Sequence, residues 1–288
     1  MRFGTPLRYP GGKGKLTDYL KLILVQNDLV SGHYVEPYAG GAGIAINLLL
    51  QGYASHIHLN DINPSVYAFW HSVLNETDGL CNRILKTEVT IDEWYKQKDI
   101  QKNHQQYSML DIGYSTFFLN RTNRSGILTA GVIGGKKQTG HWMLDARFNK
   151  EDLISRIEKI YLNKDKISLY NIDAVALIKN VLSFLPEKTL VYLDPTYYVK
   201  GKGLYENHYN HDDHVEIAKL VQGDIKLPWI VSHDNVSEIA DMYYTKSESI
   251  IYGINYSAQK RYEGSEIMFF SKNLQIPDVV NPSNLKAS

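Results

Sequence analysis

Short apolar runs bounded by polar and turn-forming residues recur in the first and last thirds of the chain. The clearest is Leu190-Val191-Tyr192-Leu193, which runs into Asp194-Pro195-Thr196-Tyr197-Tyr198. An unbroken apolar run of this length predicts a strand buried on both faces, as in a parallel sheet. Pro195 ends it, because proline cannot donate to a sheet ladder. His33 to Tyr38 predicts a second strand, followed by the turn Ala39-Gly40-Gly41-Ala42-Gly43 and an apolar helix from Ile44 to Leu50. Ile57 to Asp61 and Ile167 to Tyr170 read as further strands, the latter leading through Asn171-Ile172-Asp173 into a helix toward Phe184. Trp229 to Ser232 and Glu266 to Phe270 give late strands; Leu16 to Val25 and Asp212 to Val221 give helices. Strands alternating with helices predict an α/β fold with a doubly wound parallel sheet.

From Val66 to about Asp165 the alternation lapses into helical stretches dense in Gln, Lys, Asn and Tyr. This pattern divides the chain into a discontinuous α/β unit, residues 1–67 and 166–275, and a mainly helical insertion, residues 68–165. The polar tail, 276–288, is expected to be disordered from Pro277 onward. Residues 199–210, with glycines at 201 and 203, suit a substrate-facing loop.

Composition narrows the picture. Hydrophobic residues make up 43% and charged residues 22%, as in ordinary globular proteins, and 288 residues suffice for a sizeable core. With 31 basic and 31 acidic residues the chain is not a uniformly basic nucleic-acid binder. The single Cys81 excludes an intrachain disulfide and a cysteine zinc site. No signal peptide and no membrane-length apolar run are visible, so a cytoplasmic protein is expected. Within residues 121–150 six basic side chains (Arg121, Arg124, Lys136, Lys137, Arg147, Lys150) face one acid, Asp145. Arginines interleaved with asparagines, glycines and aromatics suit phosphate positioning and base reading, so this stretch is the expected DNA contact.

The glycine turn after the first strand suits a nucleoside cofactor, and Asp61, about 20 positions on, can accept ribose hydroxyls. Pro6 to Lys15 forms a second glycine-rich turn, but it lacks the Ser/Thr of a phosphate-binding P-loop. Asp194, the carbonyl of Pro195 and the ring of Tyr197 form a trio suited to an exocyclic amine on a flat heterocycle. His208, His211 and His214 lack the spacing and partners of a zinc site, and no metal is expected.

Five stretches in order resemble the DNA N6-adenine methyltransferases of the alpha arrangement, the family of the bacterial GATC adenine methylase. They are Arg8-Tyr9-Pro10-Gly11-Gly12-Lys13, Glu36-Pro37-Tyr38-Ala39-Gly40-Gly41, Asn60-Asp61-Ile62-Asn63, Phe118-Leu119-Asn120-Arg121 and Asp194-Pro195-Thr196-Tyr197. The resemblance implies a Rossmann-like S-adenosylmethionine-dependent sheet interrupted by a target-recognition domain. It further implies double-stranded DNA as partner, a bacterial or phage-encoded cytoplasmic enzyme, and a monomer or weak dimer. Carried over by position, Asp194, Pro195 and Tyr197 are catalytic. Tyr9, Lys13, Pro37, Tyr38, Gly40, Gly41, Asp61, Asp173 and Asp194 bind the cofactor. Asn120, Arg121, Asn123, Arg124, Lys136 and Lys137 contact DNA. The family's usual Asp-Pro-Pro-Tyr is Asp-Pro-Thr-Tyr here, which leaves a weakened DNA-binding homologue open. Cytosine N4, an RNA adenine or a protein amide as acceptor, and a nicotinamide-dependent oxidoreductase, are the other readings.

Overall fold

The computed structural model describes residues 4–8, 13–199, 209–243, 248–256 and 262–285. Seven strands form one sheet: β1 Gly32–Glu36, β2 Ala54–Asn60, β3 Ile167–Tyr170, β4 Thr189–Leu193, β5 Trp229–Asp234, β6 Glu248–Tyr256 and β7 Tyr262–Phe270. Their order is β3-β2-β1-β4-β5-β7-β6. The first five run parallel, while β7 lies antiparallel between β5 and β6. All of β4 is buried, as its apolar run predicts.

Helices cover both faces, which makes the fold Rossmann-like. On one face lie α1 Thr17–Gln26, α2 Gly43–Leu50 and α3 Pro64–Asn75. The insertion adds α4 Thr77–Lys86, α5 Ile91–Lys102, α6 Met109–Thr122 and α7 Lys150–Tyr161. These helices join the core of the sheet: Phe117, Phe118 and Ile157 share one apolar cluster with Tyr34 and Ile57. On the other face α8 Ala174–Asn180, α9 His211–Gly223 and α10 Ser237–Tyr243 enclose Val35, Val191 and Val231. Local chemistry sets the helix starts. Ser108 and Asp111 form a capping box on α6, and Asn210 and Asp213 form one on α9.

Two expectations need correction. The late sheet contains β6, which the hydrophobic pattern did not reveal. The tail is also ordered through residue 285: Asn281 Nδ2 and Ser283 Oγ donate to the Gly253 carbonyl at 3.2 and 2.8 Å, and Pro282 and Ser283 are buried. Its polarity supplies side chain-to-backbone bonds instead of disorder. Residues 200–208, most of the expected substrate-facing loop, lie outside the described residues.

Candidate active site

The carboxyl ends of β1, β2 and β4 open into a cavity of about 610 Å³, a size suited to a small organic ligand. Its wall includes Lys13, Pro37, Tyr38, Gly40, Gly41, Asp61, Asp173, Asp194 and Thr196, so most expected cofactor and catalytic positions converge there. Tyr9 lies outside the described residues.

The glycine turn is locked from several sides. The Gly40 N–H donates to Asp61 Oδ2 at 2.8 Å, and Trp70 Nε1 donates to the Gly40 carbonyl at 2.9 Å. Gly40 has φ +47°, and Ala42 adopts φ +46°, a left-handed conformation unusual for a residue with a Cβ. Asp61 Oδ1 accepts from the Asn63 N–H at 2.9 Å. Burial raises its carboxyl to about 6, against the pull of the Asn63 and Gly40 N–H groups. Asp173 caps α8 through the Val175 N–H at 2.8 Å. A locked glycine turn with carboxylates at the ends of β2 and β3 is a donor set that fits a nucleoside-containing cofactor.

At the end of β4, Asp194 faces Lys13 Nζ, 3.0 Å from Oδ1 and 3.2 Å from Oδ2. Ser232 Oγ donates to Oδ1 at 2.9 Å. Burial pushes the Asp194 carboxyl above its ordinary range; Lys13 opposes this, Glu266 adds to it, and Ser232 opposes it. Burial would lower the Lys13 ammonium, but Asp194 and Glu266 hold it well above the lysine range. Glu266, on β7, was not singled out from sequence. It is fully buried, 3.4 Å from Lys13 Nζ, and accepts from the hydroxyls of Tyr197 at 2.9 Å and Tyr252 at 2.6 Å. Glu36, another residue without an assigned role, lines the cavity and accepts from the Ala45 N–H; burial raises its carboxyl to about 8.

Tyr197, whose ring the sequence puts beside Asp194 and Pro195, lies beneath the site. It is 3% exposed, and its hydroxyl is committed to Glu266 and Lys13, the latter at 3.1 Å. A buried phenol needs such partners, and the cluster beneath the site provides them. Pro195 is buried beside it. Thr196 makes a bond that proline could not: its Oγ1 accepts from the Tyr209 N–H at 3.2 Å. Tyr209 in turn meets Tyr38 across the cavity wall, hydroxyl to hydroxyl at 3.0 Å. Beyond this turn, Asp234 accepts from the N–H groups of Tyr198 and Val199 at 3.0 and 3.1 Å.

The expected DNA contacts divide. Arg124, Lys136 and Lys137 are exposed, as is Trp142 next to the Arg147 guanidinium. Asn120 and Asn123 are buried, Asn120 on the cavity wall, and both side chains are engaged within the chain. Asn120 clamps Arg8, accepting from its N–H and donating to its carbonyl, both at 2.7 Å, and also donates to the Gly126 carbonyl. Asn123 accepts from Trp94 Nε1 and donates to the carbonyls of Ile127 and Leu128. Both amides hold loops in place. Arg121 is also buried, at 8% exposure, and lines the cavity. His211 bonds Tyr198 and His214 meets His233, while His208 lies outside the described residues. Among the described residues no group of His, Cys, Asp or Glu is arranged to hold a metal, and no helix is long and apolar enough to cross a membrane.

A family model described as D12 class N6 adenine-specific DNA methyltransferase matches residues 9–258. Among curated proteins the chain is similar to the Type II methyltransferase M.MjaIII of Methanocaldococcus jannaschii. The two are 24% identical over 233 residues, covering 74% of this chain and 78% of the relative. Among solved structures, a Pyrococcus horikoshii protein provisionally assigned as an RNA methyltransferase aligns with TM-score 0.41 and 11% identity, over 88% of this chain and 80% of its own. The Legionella pneumophila protein LPL1258 aligns with TM-score 0.35 and 12% identity, over 92% and 86%.

Proposed function

Because the chain belongs to the D12 class N6 adenine-specific DNA methyltransferases, we propose that its cavity binds S-adenosylmethionine beside a target adenine flipped out of duplex DNA. The observation that carries this reading is Asp194, at the end of β4, on the wall of the same cavity as the glycine turn and Asp61. Asp61 would accept the ribose hydroxyls, and Asp173 would lie near the cofactor's adenine. Pro37, Tyr38, Gly40, Gly41 and Lys13 complete that side. The bound cofactor supplies an activated methyl group on a sulfonium.

The chain's own task is to make N6 a nucleophile. The lone pair of an exocyclic amine is delocalised into the ring. Asp194 and the Pro195 carbonyl would accept hydrogen bonds from its two N–H groups, draw the nitrogen toward tetrahedral geometry and free that pair to attack the methyl carbon in line as the carbon–sulfur bond breaks. The methylated amine then loses one proton to water. Ser232 and Lys13 hold the Asp194 carboxylate in one orientation, so position and preorganised charge supply most of the rate. An adenine inside a duplex cannot reach this pocket, so it must be flipped. Tyr197 acts from beneath, orienting Lys13 and Glu266. The insertion, residues 68–165, serves as target-recognition domain, with Arg124, Lys136 and Lys137 on the DNA.

Asp194→Ala tests the reading. Tritiated methyl transfer to DNA should fall by at least about 10²-fold, as when other preorganised polar groups are removed from active sites. Circular dichroism should show the fold intact. Full activity in this variant would remove Asp194 from the chemistry.

A further inference from the structure

Four arginines from separate segments converge on one wall of the cavity: Arg8, Arg121 at the end of α6, Arg147, and Arg156 on α7. Burial and mutual repulsion hold Arg121 down to about 9, with Arg156, Arg8 and Arg147 pressing on it and Asp152 opposing. Arg8 is lowered by burial and by Arg147. Arg121 Nη2 donates to the Pro6 carbonyl, and Arg156 Nη1 donates to the Thr5 carbonyl at 3.1 Å. Arg156 also pairs with Asp152 at 2.7 Å. These bonds fix the guanidinium planes without meeting all their donors: Arg8 Nη1, Arg121 Nε and Arg156 Nε are buried and have no acceptor. An unmet N–H on a buried cation is costly, and three on one wall imply a ligand that completes them.

The ligand must be an anion with several acceptor oxygens, because guanidinium forks match carboxylate and phosphate groups. Two observations favour a phosphodiester. The wall is built by the insertion and the N-terminal segment, while the glycine turn, Asp61 and Asp173 come from other elements. An adenine drawn in to Asp194 also brings its covalently attached phosphates to the cavity mouth, where Arg147 is exposed. We infer that Arg8, Arg121 and Arg156, with Arg147 at the mouth, form a subsite for a phosphodiester of the strand that carries the target adenine. The inference rests on the DNA reading proposed above.

The test uses the full chain with S-adenosylhomocysteine and a duplex bearing the recognition site, mapped first by sequencing modified adenines in DNA from expressing cells. Single methylphosphonates, which remove one phosphate charge, are placed in turn around the target adenine. At one of these positions, affinity for the wild-type protein should fall about ten-fold or more, the size of a charge-assisted contact. Arg121→Met and Arg156→Gln should bind the unmodified duplex more weakly and lose most of their sensitivity to that one substitution. Their affinity for S-adenosylhomocysteine should stay within about two-fold of wild type. A duplex in which no position matters to the wild-type protein overturns the subsite, and this arm needs no variant to fold. Arginine variants that lose cofactor affinity while staying sensitive to the methylphosphonate also overturn it, and assign the wall to the cofactor's carboxylate. Failure of the wild-type protein to modify or bind any duplex would instead defeat the underlying DNA reading.

Discussion

In the proposed reaction Asp194 must stay charged, and its neighbours pull in opposite directions. Burial and Glu266 raise its carboxyl, so methyl transfer should fail on acidification at a higher pH than for an exposed aspartate. Lys13 opposes that rise. Lys13→Met should therefore move the acid limb of the pH–rate profile, measured at saturating cofactor, to higher pH. Glu266→Gln should move it to lower pH. Movement of both limbs in one direction would show that the pair does not act through Asp194. At Thr196 the departure from the family's proline gains a bond to Tyr209. Thr196→Val removes only the hydroxyl and should weaken cofactor binding about five-fold, the net worth of one hydrogen bond. Thr196→Ser should restore it, and calorimetry with S-adenosylhomocysteine distinguishes the two. Residue types were legible in the sequence where chemistry and turn coincide, as at Gly40, Asp61 and Asp194. They were not where geometry decides. An asparagine that clamps a loop, such as Asn120 or Asn123, carries the same amide as one that reads a base.

Elements were legible where both faces of a strand are buried. The run that became β4 is apolar from Leu190 to Leu193, and β1 and β2 keep a buried apolar centre in Tyr34-Val35 and in Ile57 and Leu59 beside a turn or a carboxylate, so they stand out against their flanks. β6 pairs on one side only, with β7, and exposes Glu248, Ser249 and Ile251. An edge strand with so little to bury leaves a diluted pattern. The seam between α3 and α6 was invisible for another reason: it depends on a residue with no side chain. A Cβ on Gly113 would lie 2.5 Å from the Ala68 carbonyl oxygen and 2.4 Å from Ser72 Oγ. Gly113→Ala should therefore destabilise the protein by about 1–3 kcal/mol even after the gain in helix propensity, read as a lower melting temperature. An unchanged melting point would show that these helices separate freely.

On the scale of the whole molecule, zero net charge conceals a division of labour. Exposed Lys136, Lys137 and Arg124 lie on the insertion, while the carboxylates of the site line the sheet ends. If the two lysines meet phosphates, replacing both with alanine should reduce the salt dependence of DNA binding by about 2 in log–log slope, near 0.9 per contact. The affinity loss should be similar for specific and random duplexes, and an unchanged slope would take them off the DNA. The run of helices between β2 and β3 was visible as a change in composition. The convergence of Arg8, Arg121, Arg147 and Arg156 was not, because the folded path alone brings such distant positions together.

The placement of β7 also governs when the enzyme comes into being. The strand of this sheet that comes last in chain order is wedged between β5 and β6, and it brings Glu266 beneath Lys13 and Tyr197. A nascent chain halted before that strand emerges carries every residue proposed to touch the substrates, yet it leaves the flank of β5 open to wrong pairing. Competence to mark DNA thus waits on this strand, and products truncated before it are expected to be inert and prone to clump.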